Sequence, residues 1–120
     1  MDGEISPEEV ERLLEDDRPP RVVDIRPPAA FDREHIPGSE NVPFAGLPDR
    51  IASLEGAERI VTVCPHGQAS RQAARLIKSY EGTKDARVES MEGGLDAWEG
   101  EFETAIEADG DGGGDSDAPF

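Results

Sequence analysis

Residues 61–76 read VTVCPHGQASRQAARL and place the only cysteine of the chain, Cys64, between an apolar run and a helical pattern. The β-branched residues 59–63 are typical of a strand that is covered on both faces. Apolar residues at helical spacing follow from about Ser70 onward. A residue that follows the carboxyl end of a parallel strand lies where α/β proteins bind their ligands. The position of Cys64 therefore predicts a functional site.

The rest of the chain alternates in the same way between helix and strand patterns. Ser6 can cap a first helix, and Pro7 suits its first position. Further helix patterns cover 29–38, 46–56 and 69–82, and further strand patterns cover 21–26 and 86–91. Such alternation predicts a three-layer α/β fold, in which helices flank both faces of a mostly parallel sheet.

Composition limits the classes of partner. The chain has 120 residues with 28 acidic and 12 basic side chains, for a net charge of −16. A surface this acidic repels phosphate backbones and anionic lipids, so we expect no nucleic acid and no membrane as a direct partner. We interpret the acidity as a solvation adaptation of the kind that halophilic proteins use.

The two ends of the chain are polar. The first residues, MDGEISPEEV, contain neither a basic region nor an apolar core, so we expect a soluble, cytoplasmic protein. The lone cysteine then remains a free thiol, and we expect a monomer. The Gly- and Asp-rich end has little to bury, which predicts a single domain over residues 1–106 and a disordered acidic tail over 107–120.

The loop after the cysteine suits an anion. Its residues are small enough to curl, so that successive backbone N–H groups converge while the next helix points its positive end inward. The residues concerned are Pro65, His66, Gly67, Gln68, Ala69 and Ser70, followed by Arg71. Such a loop favours thiolate over thiol and makes Cys64 a nucleophile. The alternative is a buried cysteine at the end of a strand that acts only as a small apolar side chain.

Four motifs together resemble the rhodanese-like domains. VVDIR resembles the D-x-R strand of that family, and FDREHIPGSENVP resembles its E-F-x-x-x-H-I-P-G-A-x-N-I-P signature. VCPHGQAS is similar to the C-x-x-G-x-R-S loop, and MEGGLDAW to the L-x-G-G-x-x-A-W ending. The four motifs occur in the family's order between about residues 5 and 100.

This resemblance implies a fold and a chemistry. It implies a five-stranded parallel sheet flanked by helices, and a Cys64 that carries a sulfane sulfur as a persulfide. The donor would be thiosulfate or another persulfide, and the acceptor a thiophilic molecule or protein. Asp24 and Arg26 would brace the loop through hydrogen bonds. No metal and no organic cofactor would be needed.

The loop departs from the family pattern at one position. The family's arginine falls at Ala69, and the nearest arginine is Arg71, which either turns toward the loop or lies on the solvated face. Without a guanidinium above the cysteine, thiosulfate should bind less well, which shifts the expected donor toward a persulfide. Two alternatives remain: a catalytically silent rhodanese-like module that binds a protein, and a cysteine phosphatase or arsenate reductase. The second requires an arginine where this chain has Ser70.

Overall fold

A computed structural model describes residues 1–104, so the expected tail at 107–120 lies outside the described residues. The strands are β1 (Glu4–Ile5), β2 (Arg21–Asp24), β3 (Glu40–Asn41), β4 (Arg59–Val63) and β5 (Arg87–Met91). They form one sheet in the order β1-β5-β4-β2-β3, and every neighbouring pair is parallel. The five-stranded parallel sheet that the resemblance implies is therefore confirmed.

Four α-helices connect the strands. They are α1 (Pro7–Leu13), α2 (Pro28–Arg33), α3 (Leu47–Arg50) and α4 (Ala69–Ser79). Short 3-10 turns cover Phe44–Gly46, Ile51–Leu54, Glu81–Thr83 and Gly94–Ala97. As predicted, the Ser6 side chain caps α1 by accepting a hydrogen bond from the Glu9 amide at 3.1 Å.

The apolar core lies on both faces of the sheet, as the three-layer prediction requires. On one face, Val10 and Leu13 of α1 pack with Trp98 against the strands. On the other face, Ala73 and Ile77 of α4 pack with residues of the 47–54 segment. Burial on both faces explains why the central strand β4 is rich in apolar residues.

The register of the sheet brings distant residues to one edge. β4 is central, and Val63 at its carboxyl end pairs with Asp24 of β2. On the other side of β4, Thr62 pairs with Ser90 of β5. Cys64 follows Val63 directly, so it emerges between β2 and β5 at the edge where the connections to the helices begin.

Three details of the helix predictions are wrong. The helix expected over 29–38 already ends at Arg33, because Glu34 adopts extended backbone geometry. The segment 46–56 is not one helix, because α3 spans a single turn and gives way to the 3-10 turn at Ile51–Leu54. The last helix ends at Ser79, because Tyr80 adopts extended backbone geometry. Leu76, one of the apolar residues at helical spacing after Ser70, is 36% exposed. The buried face of α4 is therefore narrower than the spacing of its apolar residues predicts.

Candidate active site

Cys64 lies at the bottom of a short loop between β4 and α4. Cys64 is only 2% exposed, although the loop above it contains exposed residues. The strand holds its backbone, and the first turn of α4 ends the loop at Ala69. The sulfur is thus held in a fixed position between two regular elements.

Three groups surround the sulfur within hydrogen-bonding distance. The Gly67 amide donates to Sγ at 3.0 Å, and the Ser70 amide donates to it at 3.3 Å. The Ser70 hydroxyl lies 3.3 Å from Sγ, so it can accept from the thiol or donate to the thiolate. The curled loop expected from the sequence is therefore present, although Pro65 has no N–H to contribute.

These contacts set the protonation of the sulfur. Burial raises the pKa of the Cys64 thiol, because it disfavours the charged form. Hydrogen bonds from the Ser70 hydroxyl and from the amides of Ser70, Gly67 and His66 outweigh burial, and the pKa of Cys64 lies below that of an ordinary thiol. The loop thus stabilises the nucleophilic thiolate.

Further donors remain in the loop. Within residues 1–104, the amide N–H groups of Gln68 and Ala69 have no hydrogen-bond acceptor. They lie between Gly67 and Ser70, the two residues whose amides already reach Sγ. An anionic sulfur placed above Sγ would therefore meet additional N–H donors.

The loop can form only because two glycines allow it. Gly67 has φ of +88°, and a Cβ atom there would lie 2.9 Å from the Gly93 nitrogen. Gly94 has φ of +67°, and a Cβ atom there would lie 2.4 Å from the Cys64 carbonyl oxygen. The Leu95 amide donates to that same oxygen at 2.8 Å. The turn at residues 94–97 thus supports the cysteine loop from behind, which explains the second glycine of the MEGGLDAW motif.

His66 holds the outside of the loop. Its Nδ1 lies 2.6 Å from a carboxylate oxygen of Asp96, and both side chains are exposed. Within residues 1–104, the imidazole contacts the supporting turn and makes no hydrogen bond to the sulfur. His66 thus connects the outside of the cysteine loop to the turn at residues 94–97.

Ser90 is a site residue that the sequence prediction missed. Its hydroxyl lies 2.7 Å from the hydroxyl of Ser70, which in turn contacts Sγ. All three residues are buried. A polar residue on a strand that is otherwise covered on both faces is the signal that could have identified it.

A cavity of about 420 Å³ opens beside the sulfur. It is lined by Ile25, Arg26, Pro27, Phe44, Cys64, Pro65, Ala69 and Gln72. Most of these side chains are apolar, and Arg26 is the only charged one among them. The cavity is large enough for a small sulfur donor or for the end of a larger one.

The positive charge of Arg26 is already compensated. Its guanidinium donates to both oxygens of the fully buried Asp24 and to the carbonyl oxygen of Glu34. Among residues 1–104, no hydrogen bond joins Asp24 or Arg26 to the loop at 65–70. The expectation that this pair braces the loop is therefore corrected: Arg26 lines the cavity, and its guanidinium bonds to Asp24 at the end of β2 and to Glu34, the residue that follows α2.

Arg71 does not replace the missing arginine. Its guanidinium lies 3.9 Å from the carboxylate of Glu4 on β1, and it does not line the cavity. Of the two orientations that the sequence left open, the structure has the one on the solvated face. Ala69 itself lines the cavity, so neither position 69 nor Arg71 places a guanidinium beside the sulfur.

Three observations on residues 1–104 concern metal binding, membrane spans and the phosphatase alternative. Within residues 1–104, no group of three His, Cys, Asp or Glu side chains could hold a metal ion. No helix in the same part of the chain is both long and apolar enough to cross a membrane. The position that a cysteine phosphatase fills with arginine holds Ser70, which is fully buried under the sulfur.

Comparisons with known proteins agree with the geometry. Residues 6–101 match the rhodanese-like domain family. A protein named thiosulfate sulfurtransferase GlpE from Pseudoalteromonas translucida is 36% identical over 86 residues, which are 72% of this chain and 79% of that protein. A protein of the same name from Pseudomonas aeruginosa is 37% identical over 94 residues, which are 78% of this chain and 81% of that protein. The solved rhodanese-like domain of the Alr3790 protein from Anabaena has a TM-score of 0.74 at 27% identity, covering 87% of this chain and 80% of that domain. The chain therefore belongs to the rhodanese-like domain family, as its four motifs indicate.

Proposed function

We propose that this chain, a rhodanese-like sulfurtransferase, moves a sulfane sulfur from a donor to a thiophilic acceptor through a persulfide on Cys64. The observation that carries the proposal is the convergence of the Gly67 amide, the Ser70 amide and the Ser70 hydroxyl on the sulfur. These groups stabilise negative charge on Sγ, which develops or disappears in each half-reaction.

In the first half-reaction, the Cys64 thiolate attacks the outer sulfur of the donor. With thiosulfate, the S–S bond of the donor breaks, and sulfite leaves with the bonding electron pair. The product is Cys64–S–S⁻, whose terminal charge is held by the loop amides that have no other acceptor within residues 1–104.

In the second half-reaction, a nucleophilic acceptor attacks the outer sulfur of the persulfide. The S–S bond breaks, the sulfur goes to the acceptor, and the electron pair returns to Sγ. The same donors that lower the pKa of Cys64 stabilise the departing thiolate. One cysteine therefore serves both steps, and its own side chain supplies all the covalent chemistry.

The donor preference follows from the cavity. The relatives are named for thiosulfate, and we propose that thiosulfate loads this chain as well. Its two negative charges meet an apolar wall and an arginine that Asp24 already neutralises, so thiosulfate binds weakly. A persulfide carried by a protein or a small organic molecule brings no sulfonate group to desolvate and is the better donor.

The test is direct observation of the intermediate. Incubation with thiosulfate should add about 32 Da to Cys64 by mass spectrometry, and cyanide should remove this mass and release thiocyanate. Cys64→Ser should remain folded by circular dichroism and lose both the added mass and the turnover. Thiocyanate release by the folded serine variant would overturn the assignment of Cys64.

The alternative of a silent binding module makes the opposite prediction. The absence of an arginine at position 69 favours it, because that side chain would hold an anionic donor. A silent module would form no persulfide with thiosulfate, with an organic persulfide or with a persulfide-loaded protein. Persulfide formation with any of these donors excludes it.

A further inference from the structure

A chain of three buried side chains connects the sulfur to the far strand of the site. Cys64 Sγ lies 3.3 Å from Ser70 Oγ, and Ser70 Oγ lies 2.7 Å from Ser90 Oγ. Ser70 and Ser90 are both fully buried, and Cys64 is 2% exposed. Ser90 is 20 residues from Ser70 in sequence and reaches it only through the pairing of β4 with β5.

In this row of three side chains, each hydroxyl proton can point in only a few directions. The Ser70 hydroxyl has two side-chain neighbours among residues 1–104, the sulfur and Ser90. If Ser90 donates to Ser70, the Ser70 proton is free to point at Sγ. If Ser90 accepts from Ser70 instead, the Ser70 proton points away from the sulfur and its lone pairs face a thiol proton.

We propose that Ser90 is a positioning residue that holds the Ser70 hydroxyl as a donor toward the Cys64 thiolate. The two hydrogen bonds run in one direction, Ser90 to Ser70 to sulfur, when Sγ is anionic. They reverse when Sγ carries a proton. Ser90 thereby favours the charged sulfur without touching it, because aligned hydrogen bonds polarise one another in a buried environment.

The same alignment serves the departure of the sulfur. When an acceptor takes the outer sulfur of the persulfide, negative charge returns to Sγ, where the aligned Ser70 hydroxyl receives it. Ser90 should thus affect both half-reactions of the proposed function, on which this inference rests for its catalytic meaning. Its effect on the free thiol can be measured without any sulfur transfer.

The experiment is a pH titration of Cys64 by iodoacetamide, with alkylation followed by mass. The chain has one cysteine, so every alkylated molecule reports on Cys64. We expect Ser90→Ala to move the midpoint of the alkylation rate to higher pH and to reduce the rate at neutral pH by roughly threefold to tenfold, as expected for loss of one buried hydrogen bond. The rate at high pH, where the thiol is fully ionised, should match the wild type.

A control separates this role from a general loss of stability. Thr83 is also buried, and its hydroxyl donates to the carbonyl oxygens of Ile77 and Tyr80 at the other end of α4 from the sulfur. Thr83→Val removes a buried hydroxyl of the same kind and should leave the alkylation midpoint unchanged. Should Ser90→Ala fail to fold, the isosteric pair Ser90→Thr and Ser90→Val takes its place, and only the valine variant should move the midpoint.

A double variant tests whether Ser90 acts through Ser70. The midpoint of Ser70→Ala should move at least as far as that of Ser90→Ala, and the double variant should move no further than Ser70→Ala alone. An unchanged midpoint in folded Ser90→Ala, or additive effects in the double variant, would overturn the proposal. Neither outcome would depend on whether the protein transfers sulfur, so the proposed function stands or falls separately.

Discussion

Replacing Ala69 by arginine should convert a poor thiosulfate site into a better one. Ala69 lines the cavity beside the sulfur, and it directly precedes Ser70, whose amide is 3.3 Å from Sγ. A guanidinium at this position can reach over the cavity and pair with two oxygens of thiosulfate. Arg26 is a weaker clamp, because the buried Asp24 carboxylate compensates its charge and its Nε and Nη2 already donate to Asp24 and Glu34.

The size of the effect follows from the new contact. A hydrogen bond to a charged group contributes about 1.5 to 3 kcal/mol, so kcat/KM for thiosulfate should rise by about tenfold to a hundredfold. Ala69 is exposed, so water competes for the guanidinium and added KCl should reduce the gain. A persulfide donor without a sulfonate should gain little from the same change.

The assay is steady-state transfer from thiosulfate to cyanide, measured as thiocyanate for wild type, Ala69→Arg and Ala69→Met. The methionine variant is the matched control, because it fills the same space without a charge. Equal gains for the methionine and arginine variants would refute the electrostatic reasoning. A wild type as fast as the arginine variant would refute the conclusion that the cavity lacks a free cation.

Four further predictions test other parts of the structure. Gly94→Ala should lower the free energy of unfolding by roughly 1–3 kcal/mol or more, because position 94 has a left-handed backbone conformation and the new Cβ would lie 2.4 Å from the Cys64 carbonyl oxygen. Urea denaturation measures this loss. An unchanged unfolding midpoint would show that the loop can move away from the new Cβ. Because the pKa of Cys64 is lowered, thiosulfate loading should rise with pH at a lower midpoint than the ionisation of a free cysteine peptide measured beside it, and a midpoint equal to or above that of the peptide would contradict the hydrogen-bonded sulfur. Deletion of 107–120 should leave the melting temperature and turnover unchanged, whereas deletion from Glu103 onward should lower both, because Glu103 exchanges two backbone hydrogen bonds of 2.9 Å with His35. Added KCl should raise the melting temperature, because the net charge of −16 is screened; a flat profile into molar salt would contradict the halophilic interpretation.

Patterns among sequence neighbours predicted the alternation of strands and helices and the position of Cys64 at the end of a strand. Residues 59–63 were expected as a strand and form β4, and the small residues after Cys64 were expected to curl and do so. Both depend on contacts between neighbours in sequence, for which β-branching and loop size are direct signals. The helix start near Ser70 is likewise a local property.

The contacts between distant segments could not be predicted in this way. Ser90 reaches Ser70 because Thr62 pairs with Ser90 in the register of β4 and β5, and a pattern within one strand does not reveal that register. Arg26 turns to Asp24 and Glu34 for a similar reason, since the choice among acceptors depends on where α2 lies. Local sequence patterns therefore predicted the position of Cys64 at the end of β4 better than the contacts that reach it from other segments.

The strand order has a consequence for synthesis of the chain. β1 precedes the other four strands in the sequence, yet within residues 1–104 it pairs only with β5, which ends at Met91. The Asp2 amide likewise bonds to the Val88 carbonyl at 2.7 Å. On the ribosome, β2, β3 and β4 can therefore assemble while β1 is still unpaired. β1 can complete the edge of the sheet only after β5 has left the exit tunnel. Release of nearly the whole domain is thus a condition for its closure, and a nascent chain stalled before Arg87 should remain sensitive to protease at its amino terminus.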